Sequence, residues 1–405
     1  MLTSLVGSEM CIRDRISTTA QRQSPRRWLL LASNALPQCF QFRVLQKQQQ
    51  LEALGWESRI VLEVDLATTD NEPLLAWADA LIICRLQASE ELLDWLQAAR
   101  AFNLPCFYDI DDLLFDPGHS PPPLTNYAGR LAPELHRRFV LDQPLIQEVM
   151  RCCDAVIVST STLKVRWLAV NDNQPNPQPV VVLPNLAPRD LWDQTTSQRR
   201  DEDDAPVKLV VASGSSTHLR CWREELAPAL AQLMRRYPTL ELSLLGEVRA
   251  PLVLLEHHQR IKHQGSLAYA NYIRAIAEND VGLMVLEPGV FTNAKSANRW
   301  MEFSMSGLAS VMSPTQTLKD VLTENKHVLF ARGASQWEDQ IERLINNPPM
   351  RKSLSLQALA QARRLFYPTA AESIWKTIAS MACQIRPTCS EAPLETNLED
   401  QLLNN

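Results

Sequence analysis

One predicted helix in the second half of the chain carries polar residues that could bind a phosphorylated ligand. The helix is predicted to begin near Lys295 and Ser296. Three later polar residues share the helix face of Lys295, and they are Arg299, Glu302 and Ser306. The free amides at a helix start, together with the Lys295 ammonium, would attract a diphosphate, and Glu302 could accept hydrogen bonds from sugar hydroxyls. A solvated charged stripe on a packing helix is the alternative interpretation.

A small, hydroxyl-rich turn follows a predicted strand at Lys208–Ala212. Its residues of interest are Gly214, Ser215, Ser216 and His218. Such a turn can approach a phosphate with its backbone amides, so these residues are predicted to bind the same ligand. The turn lacks the full glycine-rich dinucleotide and P-loop patterns, and a tight turn with a helix cap would have the same composition.

Three acidic residues lie at the end of the predicted strand Cys106–Ile110. They are Asp109, Asp111 and Asp112. Carboxylates in this position could bind a metal ion, orient an acceptor hydroxyl or act as a base, and Asp111 and Asp112 are the candidate catalytic residues. Capping of the following turn is the alternative, but crowded carboxylates repel one another, which favours a functional role.

Two arginines near the same predicted sheet edge could also contact a phosphate or an acceptor. Arg43 lies early in the first predicted helix, and Arg85 ends a predicted strand. Arginines in such positions are more often surface ion-pair partners, which is the alternative interpretation.

Alternating strands and helices predict the elements that position these residues. The predicted strands are Trp28–Ser33, Ser58–Val64, Ala80–Arg85, Cys106–Ile110, Ala155–Ser159, Val180–Leu183, Lys208–Ala212, Glu241–Leu245, Ile261–His263, Val281–Leu286, Ala309–Met312 and Val328–Phe330. Most are continuously apolar, which is typical of parallel strands buried on both faces. We therefore predict an α/β fold with two Rossmann-like, doubly wound parallel-sheet domains that face each other across a cleft, with ligands at the carboxyl ends of the strands.

A change of composition after Asn185 predicts the domain limits. We expect a first domain at 21–186, a polar linker at 187–206 and a second domain at 207–382. Residues 1–20 have neither a helical nor a strand period and are predicted to be non-native or disordered. The polar residues 383–405 are predicted to be a disordered tail.

The composition and charge of the chain exclude some classes of protein. The chain has 405 residues, 45% of them hydrophobic and 21% charged, and its formal net charge is -6. The acidic balance argues against nucleic acid as a partner, and no apolar run reaches the roughly 18 residues of a membrane span. Nine cysteines without C-x-x-C spacing predict a reducing, cytoplasmic location and no metal site.

Four stretches together resemble the bacterial group 1 glycosyltransferases, a retaining, family 4-like group with the GT-B fold. They are Phe42–Val44 with Leu51–Gly55, Tyr108–Phe115, Gly214–His218, and Lys295–Gly307 with Val311. The resemblance implies that the second domain holds a nucleotide sugar and that the first holds the acceptor. It also implies that the enzyme uses neither a cofactor nor a metal ion. The nucleotide-diphosphate sugar is its donor substrate.

The same resemblance implies roles for individual residues. Glu302 matches the second glutamate of the family's E-x7-E motif, which meets the donor ribose, and Ala294 stands where the first would fall. Lys295 would hold the diphosphate, while Asp111 or Asp112 would position the acceptor.

The implied enzyme is a retaining hexosyltransferase of polysaccharide biosynthesis. Its acceptor would be a glycan, a lipid-linked sugar or a small molecule, and peripheral membrane association stays open. Two rivals also stay open, namely a non-catalytic member that binds a nucleotide sugar or a partner protein, and a nucleotide-sugar epimerase.

Overall fold

A computed structural model describes residues 25–172, 177–187, 206–214 and 217–385. The predictions for residues 1–20, for Ser215 and Ser216, for most of the linker and for all but the start of the 383–405 tail lie outside these residues. Within them, every strand belongs to one of two six-stranded sheets. All strand pairs in both sheets are parallel, which confirms the predicted fold class.

The first sheet has the order β2-β1-β3-β4-β5-β6. Its strands are β1 (Arg27–Ala32), β2 (Glu57–Leu62), β3 (Ala80–Cys84), β4 (Cys106–Ile110), β5 (Ala155–Val158) and β6 (Val180–Val182). Every residue of β3, β4 and β5 is buried, as expected for mostly apolar strands covered on both faces. Each strand lies within two residues of its predicted bounds.

The second sheet has the order β12-β11-β10-β7-β8-β9. Its strands are β7 (Lys208–Ser213), β8 (Glu241–Gly246), β9 (Ile261–Gln264), β10 (Val281–Met284), β11 (Ala309–Met312) and β12 (Leu329–Phe330). In β10, a side chain at Gly282 would come within 2.4 Å of the Phe303 ring, so this glycine lets a helix pack directly on the sheet.

Helices connect the strands in both domains. Those of the first half are α1 (Pro37–Phe40), which continues through a π-helical turn (Gln41–Leu45) into α2 (Gln46–Ala53), then α3 (Asn71–Trp77), α4 (Glu90–Ala101), α5 (Pro133–Cys152) and α6 (Ser161–Val170). Short 3-10 segments occur at Glu63–Asp65 and Leu124–Tyr127. The helix predicted between the first two strands is therefore present, but a π-helical turn interrupts it.

The second half repeats this arrangement. Its helices are α7 (Leu219–Cys221), which continues through a π-helical turn (Trp222–Leu226) into α8 (Ala227–Arg236), then α9 (Tyr269–Ala277), α10 (Val290–Asn293), α11 (Asn298–Met305), α12 (Gln316–Val321), α13 (Gly333–Asn346), α14 (Pro348–Phe366) and α15 (Glu372–Gln384), with 3-10 segments at Leu252–Arg260 and Pro368–Ala371. On α13, Trp337, Ile341 and Leu344 are buried on one face, the spacing of an amphipathic helix. Among the described residues, no helix is both long and apolar enough to cross a membrane.

The predicted helix start at Lys295 is wrong. The loop after β10 forms the short α10, and α11 begins only at Asn298, so Lys295 and Ser296 lie between two helices. The physical reason is the burial of Phe291 and Ala294 in the apolar core of the first domain. Ala294 forms a turn after α10, and α11 begins only after Lys295, Ser296 and Ala297.

The last helix returns to the first domain. The Trp375 ring of α15 packs edge-on against Trp28 of β1, with 5.4 Å between ring centroids, and its indole N–H donates to Gln50 of α2. The two chain crossings between the domains also meet, because the Ala187 N–H donates to the Phe366 carbonyl. The predicted domain limits stay a prediction. The helix α15 follows the second sheet in sequence, but it packs against the first sheet.

Candidate functional site

Each sheet has a point at which strand order reverses, and ligands of open α/β sheets bind outside the strand carboxyl ends at such points. In the first sheet the reversal lies between β1 and β3, and in the second between β7 and β10. The residues after β7 include Gly214 and His218, and those after β10 include Glu287 and Lys295. The second-domain reversal point therefore brings together two stretches that are distant in sequence.

The carboxyl ends of the two sheets face each other. Lys295, after β10, contacts Asp112, after β4. The Thr160 hydroxyl, after β5, donates to the Ala294 carbonyl at 3.1 Å. The Asn185 side-chain amide donates to the Ser296 hydroxyl at 3.4 Å. These contacts place the predicted site residues of both domains along one interdomain surface.

Lys295 is held by an anion and an aromatic ring. Its Nζ lies 3.3 Å from Asp112 Oδ2 and 4.7 Å from the centroid of the Phe291 ring. The Lys295 and Asp112 side chains keep 27% and 22% of their exposure, so both remain accessible at the cleft. A lysine in this setting can exchange its carboxylate partner for a phosphate.

His218 lies beside Lys295 and is deeply buried. Its side chain is 7% exposed, and its Nδ1 accepts a hydrogen bond from the Glu287 backbone N–H at 3.2 Å. Burial, assisted by the positive charge of Lys295, lowers the pKa of His218 from 6.5 to about 3. The imidazole is therefore neutral at physiological pH.

Glu287 is a site residue that the sequence analysis missed. Its carboxylate is almost wholly buried, accepts the Cys221 backbone N–H at 2.7 Å and forms an ion pair with Arg220. Glu287 thereby joins the loop after β10 to the start of the helix after β7. The only signal available in the sequence was an acidic residue directly after an apolar strand, which is a weak one.

Gly214 lies against the first domain. A side chain at this position would come within 2.7 Å of the Gln38 amide, which belongs to the helix after β1. A larger residue here would require the Gln38 side chain to move, so glycine lets the two domains approach closely without that movement. Ser215 and Ser216 lie outside the described residues, and their predicted role stays a prediction.

Glu302 is buried within the second domain and already has partners there. Its Oε2 accepts the Tyr272 hydroxyl at 3.1 Å and pairs with Arg299 at 2.8 Å. Burial raises the pKa of Glu302, and the charge of Arg299 opposes that rise. No described hydrogen bond or ion pair joins Glu302 to Lys295 or His218, so its predicted role in ligand binding stays a prediction.

The three acidic residues, Asp109 within β4 and Asp111 and Asp112 directly after it, have three different partners. Asp109 is fully buried between Arg43 and Lys47, at 2.6 and 2.8 Å. Asp111 lies 2.5 Å from Arg85. Asp112 alone reaches across to the second domain, so the structure does not bring the three carboxylates together.

The electrostatic surroundings of Asp111 keep it ionised. Burial opposes its charged form, but the positive charges of Arg85, Arg43 and Lys47 outweigh burial and lower its pKa. Within the described ranges, no group of three or more histidine, cysteine or acidic side chains is arranged to hold a metal ion.

Arg43 connects this cluster to the interdomain crossing. One guanidinium nitrogen donates to the Leu183 carbonyl and to the Asn185 side chain, at 2.8 and 2.9 Å. Gln46, one helical turn on, pairs with both backbone groups of Leu186. Arg43 and Gln46 thus bind residues 183–186, the segment that leads into the second domain.

Comparison with known proteins agrees with this architecture. A family model described as glycosyl transferase-like matches residues 223–372. A search of curated protein sequences finds no significant match. Among solved structures, Anabaena HepE in complex with UDP and glucose has a TM-score of 0.56 at 15% identity, covering 88% of this chain and 100% of that chain.

Two further solved structures are similar over their whole length. A glycosyltransferase from Rickettsia africae has a TM-score of 0.62 at 12% identity, covering 89% of this chain and 99% of that one. Sucrose-phosphate synthase from Thermosynechococcus elongatus has a TM-score of 0.56 at 13% identity, covering 89% and 98%. The chain therefore has the GT-B fold of these structures, and its residues 223–372 match the glycosyl transferase-like family model.

Proposed function

We propose that this protein transfers a sugar from a nucleoside diphosphate donor to a hydroxyl acceptor with retention of anomeric configuration. The observation that carries the proposal is the placement of Lys295 and His218 at the second-domain reversal point, opposite Asp112 of the first domain. HepE, which shares the fold, was solved with UDP and glucose. A diphosphate beside Lys295 and a sugar directed toward Asp112 would use both sides of this surface.

The chemical task is to stabilise the leaving group. When the glycosidic bond breaks, negative charge accumulates on the diphosphate, and fixed donors aimed at it lower the barrier. Lys295 would supply a full positive charge and the Ser296 hydroxyl a further donor. These groups belong to the chain itself, so we expect turnover without a metal ion.

Asp111 and Asp112 would serve the acceptor. Both follow β4, and Asp112 lies on the surface that faces the second domain. A carboxylate there can accept a hydrogen bond from the attacking hydroxyl and fix its approach. In a retaining reaction the hydroxyl attacks from the face that the phosphate leaves. Contact between the two domains would exclude water, which would otherwise hydrolyse the donor.

A donor screen tests the proposal. Purified protein would be incubated with UDP-, GDP-, TDP- and ADP-linked sugars, and nucleoside diphosphate release would be followed with and without acceptor sugars. We expect slow hydrolysis of one donor and transfer when an acceptor is present, both strongly reduced in Lys295→Ala. Lys319→Ala, on α12, is the matched control.

The same screen separates the rival functions. Binding of a nucleotide sugar without transfer or hydrolysis would indicate a non-catalytic member. Conversion of a free donor into its epimer would indicate an epimerase. Failure to bind any donor would reject the proposal. We further propose a cytoplasmic location, because nucleotide sugars are synthesised there, and a glycan, lipid-linked or small-molecule acceptor.

A further inference from the structure

The His218 imidazole is held in one orientation by the protein backbone. Its Nδ1 accepts the Glu287 N–H at 3.2 Å across the gap between the β7 and β10 loops. A ring nitrogen that accepts a hydrogen bond has no proton of its own. A neutral imidazole with an unprotonated Nδ1 must carry its proton on Nε2.

Several groups keep this ring neutral. Burial and the charge of Lys295 lower the His218 pKa to about 3, so the ring does not acquire a second proton at physiological pH. Glu287 presents its N–H rather than its carboxylate to the ring, because the carboxylate is engaged by Cys221 and Arg220. The Nε2 atom is consequently a hydrogen-bond donor.

That donor has no partner within the described part of the chain. The Nε2 atom is shielded from solvent and makes no hydrogen bond there. A buried donor without an acceptor is costly, and native proteins retain few of them. Its location at the reversal point of the second sheet, where ligands bind, points to a ligand atom as the missing acceptor.

We infer that the His218 Nε2–H donates a hydrogen bond to an oxygen of the donor's diphosphate beside Lys295, and that Glu287 is the positioning residue that fixes the ring for this purpose. The inference rests on the proposed function, which it deepens. A neutral donor next to Lys295 avoids the repulsion that a second cation would cause. Lys295 then supplies a positive charge to the diphosphate, and His218 supplies a directed hydrogen bond to it.

The ring state can be tested without any ligand or activity. Protein labelled with ¹⁵N-histidine would be examined by NMR between pH 5 and 8, and the His218 signals would be assigned from His218→Gln. We expect one neutral form, with the proton on Nε2 throughout this range. A proton on Nδ1, or titration near pH 6.5, would overturn the inference.

Ligand binding tests the donor role. UDP and inorganic pyrophosphate would be titrated calorimetrically into wild type, His218→Leu and His218→Gln. Loss of a hydrogen bond to a charged acceptor weakens binding by roughly 10- to 100-fold, which we expect for His218→Leu. His218→Gln keeps an N–H near the position of Nε2 and should stay within about 5-fold of wild type.

The outcomes separate this inference from the proposed function. If wild type binds UDP or pyrophosphate and His218→Leu binds equally well, only the role of His218 is rejected. If wild type binds neither probe, the inference about His218 is rejected, while the proposed function is decided by the donor screen with all four nucleotides. If His218→Gln is as impaired as His218→Leu, the lost hydrogen bond is not the cause and the inference is rejected.

The positioning role of Glu287 has its own readout. In Glu287→Ala the loop after β10 loses its attachment to Cys221 and Arg220, so the His218 signals should shift and show both neutral forms. Glu256→Ala is the matched control, since Glu256 forms an exposed pair with Arg235 in the same domain. Unchanged His218 signals in Glu287→Ala would reject the positioning role.

Discussion

Lys295 Nζ lies 3.3 Å from Asp112 Oδ2, and this pair joins the two domains where both sheets end. The carboxylate of one domain thus neutralises the cation that would bind a phosphate in the other. In the proposed function, a diphosphate arriving at Lys295 would compete with Asp112, and Asp112 would then be released toward the acceptor. The pair would thereby link donor binding to the preparation of the acceptor side.

Asp112→Asn should affect binding and turnover in opposite directions. Without the competing charge, Lys295 is free for the donor, and the affinity for the donor nucleotide should rise by about 2- to 5-fold, the range expected for a partly exposed ion pair. Transfer should slow, because a neutral amide oxygen accepts the hydrogen bond of the attacking hydroxyl more weakly than a carboxylate does. Calorimetry and initial rates on the same preparation check both parts, and weaker nucleotide binding in Asp112→Asn would contradict the competition.

Glu302→Gln should weaken nucleotide binding while the fold survives. The glutamine keeps an oxygen for Tyr272 but removes the charge that pairs with Arg299. If the carboxylate also accepts ribose hydroxyls, the affinity for UDP should fall by about 10-fold. Glu338→Gln is the control, since Glu338 forms a more exposed pair with Arg236 in the same domain. If Glu302→Gln and Glu338→Gln bind UDP with equal affinity, ribose binding by Glu302 is rejected.

Arg43→Ala should be among the most destabilising arginine substitutions. Its partner Asp109 is fully buried, and the change also removes the donors to Leu183 and Asn185. Removing one partner of a buried ion pair costs about 3–5 kcal/mol of unfolding free energy. Arg27→Ala is the control, because the Arg27–Asp79 pair is partly exposed and should cost about 1 kcal/mol or less. Urea unfolding measures both, and similar losses would contradict this reasoning.

The buried His218 should make stability depend on pH. Its pKa is about 3 in the folded protein and about 6.5 when unfolded, so between these values the unfolded chain holds the extra proton. Stability should therefore fall as the pH decreases below about 6.5, by at most about 1.4 kcal/mol per pH unit from this residue. His218→Gln removes this contribution, and urea unfolding at pH 7, 6 and 5 should show a shallower decline. Parallel declines in the two proteins would contradict the predicted pKa.

The sheets could be predicted from the sequence because their signal is local. Strands such as β4 and β11 are mostly apolar, and the structure gives them the bounds that were predicted. The start of the helix near Lys295 could not be predicted, since it depends on where Phe291 and Ala294 are buried in the other domain. Local periodicity carries no information about such a contact.

The residues of the site were predictable in type but not in pairing. Asp111 and Asp112 follow β4 and Asp109 lies within it, yet each of the three has a different partner. Arg43, which is distant from Asp109 in sequence, is its buried counter-ion rather than a residue at the cleft rim. Glu287 escaped notice because its partners, Arg220 and Cys221, follow a strand that is distant in sequence.

The return of α15 to the first sheet affects how the protein can fold during synthesis. Trp28 lies in β1, and its ring contacts Trp375, which is synthesised only after all six strands of the second sheet. Part of the apolar surface of the first domain therefore stays uncovered until α15 has been synthesised. Expressed by itself, the first domain should be prone to aggregation. The second domain expressed by itself would carry α15 without the surface against which it packs.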